Sequence, residues 1–254
     1  MSTHTCVFAP PRLRTALAVE AYKLRRSLAL LLAAIAPLLI AVFMFFNLTR
    51  FDKPGSWAMA LQSSAAIWAF FMLPMCTTAL TALMAQAEHG PRTWEHLRAL
   101  PVPRWHLYAA KAICALAMVV LISLLLAVLA PLAVLAAGWA KPAAAVADAP
   151  DFAAYLLLLG RIFLAAWLMV AVQLWMALRH ASFVPALALG IGGTFFAVVA
   201  TSAKVGVLMP WQTPVNQLAS DPSRAALALA VGFFGGCAAF TLMLWRMSRR
   251  EMPA

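Results

Sequence analysis

The sequence predicts an all-α membrane protein with six transmembrane helices. Six apolar runs of about 18 residues or more occur along the chain, and a run of that length can cross the hydrocarbon core as a helix. Hydrophobic residues make up 65% of the chain and charged residues 11%, and the mean hydropathy is +0.90. A soluble domain carries about one quarter charged residues. We therefore expect one transmembrane domain over residues 1–254.

The first expected element is a basic amphipathic helix over residues 12–27. Leu13, Leu17, Ala21, Leu24 and Leu28 recur at helical spacing, and the basic residues lie mostly elsewhere around the helix. Such a helix can lie in the membrane interface before the chain turns into the first span. The alternative is a plain basic flank to that span.

The six spans are expected at residues 28–46, 65–84, 112–137, 152–178, 183–203 and 225–245. Their long runs lack alternating polarity, so they are helices and not strands of a barrel. Thirteen Lys and Arg residues fall on one side of this arrangement and five on the other. The side richer in Lys and Arg faces the cytoplasm, which places both termini there. The net charge of +11 does not indicate a nucleic-acid partner, because the basic residues flank apolar spans and form no soluble basic face.

The connection between spans two and three predicts a short, stiff helix. Residues 93–100 fit a helix, which Gly90 and Pro91 precede and Pro101 ends. Trp94 and Leu97 share one face of it at three-residue spacing. A short amphipathic helix between such breakers is suited to docking on another protein. The alternative is a helix that lies on the lipid surface.

Several polar residues occur inside the apolar runs. They either line a translocation route or form hydrogen bonds between helices. The uncharged members are Thr77, Thr78 and Thr81 in span two, Ser123 in span three, Gln173 in span four, and Thr194 and Thr201 in span five; the candidates for the route are Thr77, Thr78, Thr81, Gln173 and Thr194. Arg161 is the one charge well inside a span, and an intramembrane charge is by default a functional hypothesis. It can also extend its side chain toward the interface, or pair with Asp148, Asp151 or Asp221.

The chain lacks the marks of an enzyme or of a metal site. The eight acidic residues lie at span ends, in loops or in tails, so none is expected to act as a buried proton relay. The histidines lack metal-ligand spacing, and the four cysteines show no disulfide pattern. No glycine precedes a lysine, so a phosphate-binding loop cannot occur and any ATP must bind to another chain. No catalytic, cofactor-binding or metal residue is therefore expected.

Two further features lie near the last span. The segment from Lys204 to Arg224 contains Pro210, Trp211 and Pro214, which suggests an interfacial or partly re-entrant element. Gly232 and Gly236 form a G-x-x-x-G pair, which permits the close approach of another helix.

A family resemblance rests on four features. The first is the entry segment 20–27 before span one, and the second is the connection between spans two and three with its residues 88, 93–95, 97–104 and 110–111. The third is Pro210-Trp211 with Pro214 ahead of span six, and the fourth is the six-span layout. With these features the chain resembles the permease subunit of a type-2 ATP-binding-cassette (ABC) exporter. More narrowly, it is similar to the small permeases of lantibiotic (bacteriocin) immunity and multidrug efflux systems.

The resemblance implies a bacterial inner-membrane exporter of an amphipathic peptide or hydrophobic compound. A cytoplasmic ATP-binding subunit would hold ATP and Mg²⁺, and a second copy or a paralogous permease would complete a dimer in membrane lipid. The N-terminal helix would be the elbow helix, and the connection between spans two and three would be the coupling helix. The expected ATPase-coupling residues are Glu88, Gly90, Arg92, Trp94, Glu95, Leu97, Arg98 and Pro101. The alternatives are a heme- or copper-related exporter permease, or a non-transporting membrane anchor or sensor.

Overall fold

The computed structural model describes residues 13–50, 55–89, 103–146, 148–200 and 204–249. These residues form helices, and no strand occurs among them. The α-helices are α1 (Leu13–Arg25), α2 (Leu28–Arg50), α3 (Trp57–Ile67), α4 (Leu73–His89), α5 (Arg104–Ala140), α6 (Phe152–Ala165), α7 (Trp167–Arg179), α8 (Val184–Val199) and α9 (Pro222–Arg249). A π-helical turn at Trp68–Met72 joins α3 to α4, and 3₁₀ turns lie at Pro142–Ala144, Lys204–Leu208 and Val215–Leu218.

The helix lengths confirm an all-helical membrane protein. Four helices are long and apolar enough to cross a membrane: α2, the continuous helix Trp57–His89, α5 and α9. The bent pair of α6 and α7 adds a fifth candidate span. Helix α8 is apolar but has 16 residues, so it is about 24 Å long against a hydrocarbon core of about 30 Å. The count of six spans therefore stays a prediction.

The face that helix α1 buries matches the one that the apolar spacing predicts only in part. Ala21 and Leu28 are exposed, whereas Glu20 and Leu24 are buried. The helix therefore turns a carboxylate toward the bundle in place of an alanine. The reason is electrostatic, because Glu20 meets a buried lysine of α5.

The second candidate span contains a π turn at Trp68–Met72. The Leu73 N–H bonds the Trp68 carbonyl, five residues earlier. Pro74 follows directly, and proline has no N–H to continue the α-helical ladder. The wider turn accommodates that missing donor, and π turns in α-helices occur frequently at functional sites.

The fourth predicted span is broken, where its apolar run suggested one continuous helix. Helices α6 and α7 meet at Ala166 with a bend of 41°. At the break the Thr213 hydroxyl donates to the Ala165 carbonyl at 2.7 Å. A side chain inserted at the backbone ladder is a recognised cause of a sharp bend. The inserted residue comes from a segment 48 residues away in the sequence.

The segment between α8 and α9 packs into the bundle. Residues 211–217 are buried, and the Gln212 amide donates to the carbonyl of Ala197 in α8. The indole of Trp211 lies against Gly193 so closely that a Cβ there would overlap the ring. The Arg224 guanidinium donates to the side-chain oxygen of Asn216 at 2.7 Å and ties the segment to the start of α9.

The close approach predicted for Gly232 and Gly236 is present in the structure. A Cβ on Gly232 would overlap the backbone of Ala165, and one on Gly236 would overlap Trp167. Helix α9 therefore packs at backbone distance against the break between α6 and α7. Elsewhere in the bundle α2 lies along α5, and α4 contacts both α7 and α8.

Candidate functional site

Four charged side chains form a closed ring of ion pairs where α1, α4 and α5 meet. Glu20 and Lys23 come from α1, Glu88 from α4 and Lys111 from α5. The Lys111 Nζ lies 2.9 Å from Glu20 Oε2 and 2.9 Å from Glu88 Oε1. The Lys23 Nζ lies 2.6 Å from Glu88 Oε1 and 3.2 Å from Glu20 Oε1. Positive and negative groups therefore alternate around these four residues, which we call the charge ring.

Three of the four side chains in the charge ring are buried, and the fourth, that of Lys23, is partly exposed. The side chains of Glu88 and Lys111 are 0% and 1% exposed, that of Glu20 is 6% exposed and that of Lys23 is 32% exposed. Burial alone lowers the pKa of Lys23, but the hydrogen bond to Glu88 and the negative charges of Glu20 and Glu88 outweigh it. The pKa of Lys23 thus lies above its ordinary value, which favours its charged form beside Glu20 and Glu88.

The helix ends determine which residues can join the charge ring. Glu88 lies in the last turn of α4, and Lys111 lies about two turns into α5, which begins at Arg104. Between them runs the connection 90–102, which lies outside the described residues. Glu20 and Lys23 are three apart on α1, so they lie on one face. The ring therefore ties the N-terminal helix to both helices that flank the connection.

A second feature is an apolar groove on the side of the bundle. It has a volume of about 320 Å³ and lies between α2, the π turn with α4, and α8. Leu32 and Ile35 line it from α2, Met72 from the π turn, and Leu187 and Ile191 from α8. The groove therefore offers a surface that is almost entirely hydrocarbon.

A family model described as ABC-2 family transporter protein matches residues 16–199, which is most of the chain. The chain belongs to the ABC-2 transporter family. No curated protein and no solved structure matches it. As an ABC-2 permease it is a multi-pass membrane component of a transporter and not an enzyme by itself. The matched region contains every residue of the charge ring, and membership of the family implies an ATP-binding partner.

One predicted coupling residue of this ABC-2 permease takes a different role in the structure. Glu88 was expected to present a charge to the ATPase, but its side chain is fully buried and pairs with Lys23 and Lys111. Both lysines contact its carboxylate within the chain, and a contact of Glu88 with the ATPase stays a prediction. The other predicted coupling residues lie outside the described residues: Gly90, Arg92, Trp94, Glu95, Leu97, Arg98 and Pro101.

The residues predicted to line a translocation route do not lie together on one open surface. Five of them are buried in the bundle: Thr77, Thr78, Thr81, Gln173 and Thr194. The Thr78 and Thr194 hydroxyls donate to carbonyls of their own helices, and the Gln173 amide donates to Ala186 in α8 at 2.6 Å. Thr78 also borders the apolar groove. Arg161, by contrast, is exposed on α6.

Sequence reasoning missed three members of the charge ring as site residues: Glu20, Lys23 and Lys111. All three belong to segments that support the family resemblance, but nothing local indicates that Glu20 and Lys111 meet, since these two are 91 residues apart. One signal was available for Glu20, which is an acidic residue in an otherwise basic helix and close to the apolar positions Leu17 and Leu24. In the described part of the chain, no group of three or more His, Cys, Asp or Glu side chains is placed to hold a metal.

Proposed function

We propose that the chain is the membrane-spanning permease of an ABC exporter, driven by ATP that a separate cytoplasmic subunit hydrolyses. The observation that carries this proposal, beside the family match, is the charge ring at the flanks of the 90–102 connection. A partner that pushes on this connection acts on two helix ends that are already joined to each other and to α1. This linkage of three helices supports a role in transmitting movement from the ATPase to the spans, and not a role as a passive membrane anchor.

The proposed cargo is an amphipathic peptide or another hydrophobic compound. The apolar groove between α2, α4 and α8 supports this class, because burial of apolar surface is what such a groove can offer. The proposal includes a dimer of permeases in the bacterial inner membrane, with both termini in the cytoplasm and α8 as the fifth of six spans. The connection 90–102 would then face the ATPase, with Trp94 and Leu97 as its apolar anchors.

The proposal is tested by co-expression with a cytoplasmic ATP-binding subunit of an ABC transporter, followed by co-purification and reconstitution into proteoliposomes. A central aromatic anchor contributes at least about 2 kcal/mol to an interface of this kind. Trp94→Ala combined with Leu97→Ala should therefore leave membrane insertion intact, weaken co-purification, and abolish substrate-stimulated ATP hydrolysis.

The matched control is Trp105→Ala, which removes an exposed tryptophan from the first turn of α5, just beyond the connection. It should leave co-purification and ATP hydrolysis close to those of the wild type. If the double variant binds the ATPase and exports normally, the connection does not couple to it. It would then be better described as a helix on the lipid surface.

A further inference from the structure

Three sulfur-bearing residues line the apolar groove between α2, α4 and α8. They are Met72, the last residue of the π turn, and Met75 and Cys76 in the first turn of α4. Cys76 is buried, whereas Met72 and Met75 are partly exposed, so the thiol is recessed and the thioethers lie nearer the surface. The rest of the wall consists of aliphatic residues and Thr78, whose hydroxyl donates to the Pro74 carbonyl at 2.8 Å. Apart from that hydroxyl, sulfur is the only metal-binding atom in these side chains.

The spacing of the three residues places them on one side of the helix. Met75 and Cys76 follow Met72 by three and four residues, and side chains at these spacings are neighbours, with Cβ atoms about 5–6 Å apart. A methionine side chain has three rotatable bonds, so two thioethers can turn toward a common point beside the thiol. The π turn that ends at Met72 is a departure from the α-helix that occurs frequently at functional sites. One segment of five residues therefore supplies three sulfur ligands to one groove.

The ligand set selects a soft, monovalent metal ion. Thiolate and thioether ligands favour Cu(I), whereas Mg²⁺, Ca²⁺ and Mn²⁺ prefer oxygen. Among the described residues, no His, Asp or Glu lines the groove. One thiolate neutralises one monovalent cation, and the thioethers are neutral, so the complex carries no net charge. A divalent ion would keep a positive charge between hydrocarbon walls, where an uncompensated charge is costly.

We propose that Met72, Met75 and Cys76 form a three-coordinate binding site for Cu(I), which Ag(I) can also occupy. On binding, the Cys76 thiol releases its proton to the solvent and its sulfur bonds the metal, and each thioether sulfur donates a lone pair. The metal enters and remains as Cu(I), so no oxidant or reductant takes part. The expectation that no residue binds metal considered the spacing of His and Cys and left thioethers out. The site lies in the groove proposed for the cargo but does not rest on export, because it concerns binding by this chain alone.

The test uses the full chain with Cys6, Cys114 and Cys237 replaced by alanine, so that Cys76 is its only cysteine. The protein is purified in detergent without oxygen, and Cu(I) is supplied as its coloured complex with bathocuproine disulfonate. The loss of that colour measures affinity and stoichiometry, and bound Ag(I) is counted by native mass spectrometry. The single-cysteine chain should take up one ion of either metal. No ATPase is present, so the result is independent of the proposed export function.

Substitution of the ligands should lower the affinity for Cu(I). Loss of a group that only supports a metal ligand already costs about 10–100-fold in affinity, so Met72→Leu and Met75→Leu should each cost at least about tenfold. Leucine has nearly the volume of methionine, so both variants should fold. Cys76→Ala removes the thiolate that balances the charge and should abolish one-to-one binding. All three variants should also lose the rise in unfolding temperature that Ag(I) gives the single-cysteine chain.

Two matched controls separate this site from any buried sulfur. Met118→Leu in the single-cysteine chain removes a buried thioether of α5 outside the groove and should leave the affinity unchanged. A chain with Cys114 as its only cysteine keeps a buried thiol four residues from Met118, so it has one thioether neighbour in place of two. This chain should bind Cu(I) at least about tenfold more weakly than the chain that keeps Cys76.

Three results would overturn the proposal. The first is the absence of one-to-one uptake of Cu(I) and Ag(I) by the chain that keeps only Cys76. The second is unchanged affinity in both Met72→Leu and Met75→Leu, which would reduce the site to a lone thiol. The third is equal affinity in the chain that keeps only Cys114, which would show that any buried thiol of this protein binds the metal.

Discussion

The charge ring makes a quantitative prediction for the variant Lys111→Met, which keeps much of the side-chain length but removes two of the four ion pairs. Breaking a buried ion pair by removing one partner costs about 3–5 kcal/mol, because the other charge is left buried without compensation. Lys23 still contacts both carboxylates and is 32% exposed, so the lower end of this range applies. At about 2–4 °C per kcal/mol for a chain of this size, the unfolding midpoint should fall by about 6–12 °C.

The assay is thermal unfolding in detergent, followed through the intrinsic fluorescence of the nine tryptophans. Arg25→Met is the matched control, because Arg25 lies on α1 beside the ring but is exposed and forms none of the four ion pairs. A surface substitution of this kind changes stability by about 0.5 kcal/mol or less. Lys23→Met should fall between the two, since solvent reaches part of that side chain.

Charge reversal distinguishes a ring from four independent pairs. Glu88→Lys with Lys111→Glu keeps attraction between those two positions but sets like charges against Lys23 and Glu20. This double variant should therefore be less stable than Lys111→Met. Reversal of all four positions restores the alternation and should recover much of the loss. A midpoint for Lys111→Met within 1 °C of the wild type, or a double variant as stable as the wild type, would refute the reasoning.

Three further predictions concern topology and the break in the fourth predicted span. Reporter fusions should read as outside after Lys53, Lys141 and Asp221 and as inside after Arg98, His180 and Arg250, and two reversed fusions would exclude the six-span arrangement. Gly232→Ala should disrupt folding, because the new Cβ overlaps the Ala165 backbone. Gly235→Ala is the control and should be tolerated, because its Cβ meets only side-chain carbons of Leu168, the nearest at 3.3 Å. Equal yields of folded protein from the two variants would count against the close packing of α9 on Ala165. Thr213→Val should lower the free energy of unfolding by about 1–3 kcal/mol, because the Ala165 carbonyl loses its hydroxyl donor. Thr213→Ser keeps the hydroxyl and should not lower it. A valine variant that unfolds at the wild-type midpoint would show that this hydrogen bond does not stabilise the fold.

The features that sequence predicted well are those whose cause is local. A charge-free apolar run determines α2, and the helix found there extends the predicted span by four residues to Arg50. Likewise, the spacing of Gly232 and Gly236 is enough to predict close packing, although it does not name the neighbour. These properties depend on residues within a few turns of one another, where hydropathy and helical spacing carry the information.

The features that sequence missed depend on contacts between distant segments. Glu20 is buried against Lys111, and at the bend at Ala166 the Ala165 carbonyl accepts a hydrogen bond from Thr213, 48 residues further along the chain. A charged residue in an amphipathic helix is ordinarily placed toward water or headgroups. Only the presence of an opposite charge on a neighbouring helix reverses that preference, and the position of such a partner is a property of the fold.

Within the proposed function, the charge ring links the connection 90–102 to the apolar groove. The connection 90–102 cannot move its two flanking helices independently, because Lys111 holds Glu88 directly and both carboxylates hold α1. Helix α1 passes within two residues into α2, which lines the apolar groove opposite α8. A displacement imposed on the connection would therefore reach the groove by two routes, along α4 and through α1 into α2. Loosening the ring should then lower the coupling of ATP hydrolysis to export more than it lowers hydrolysis itself.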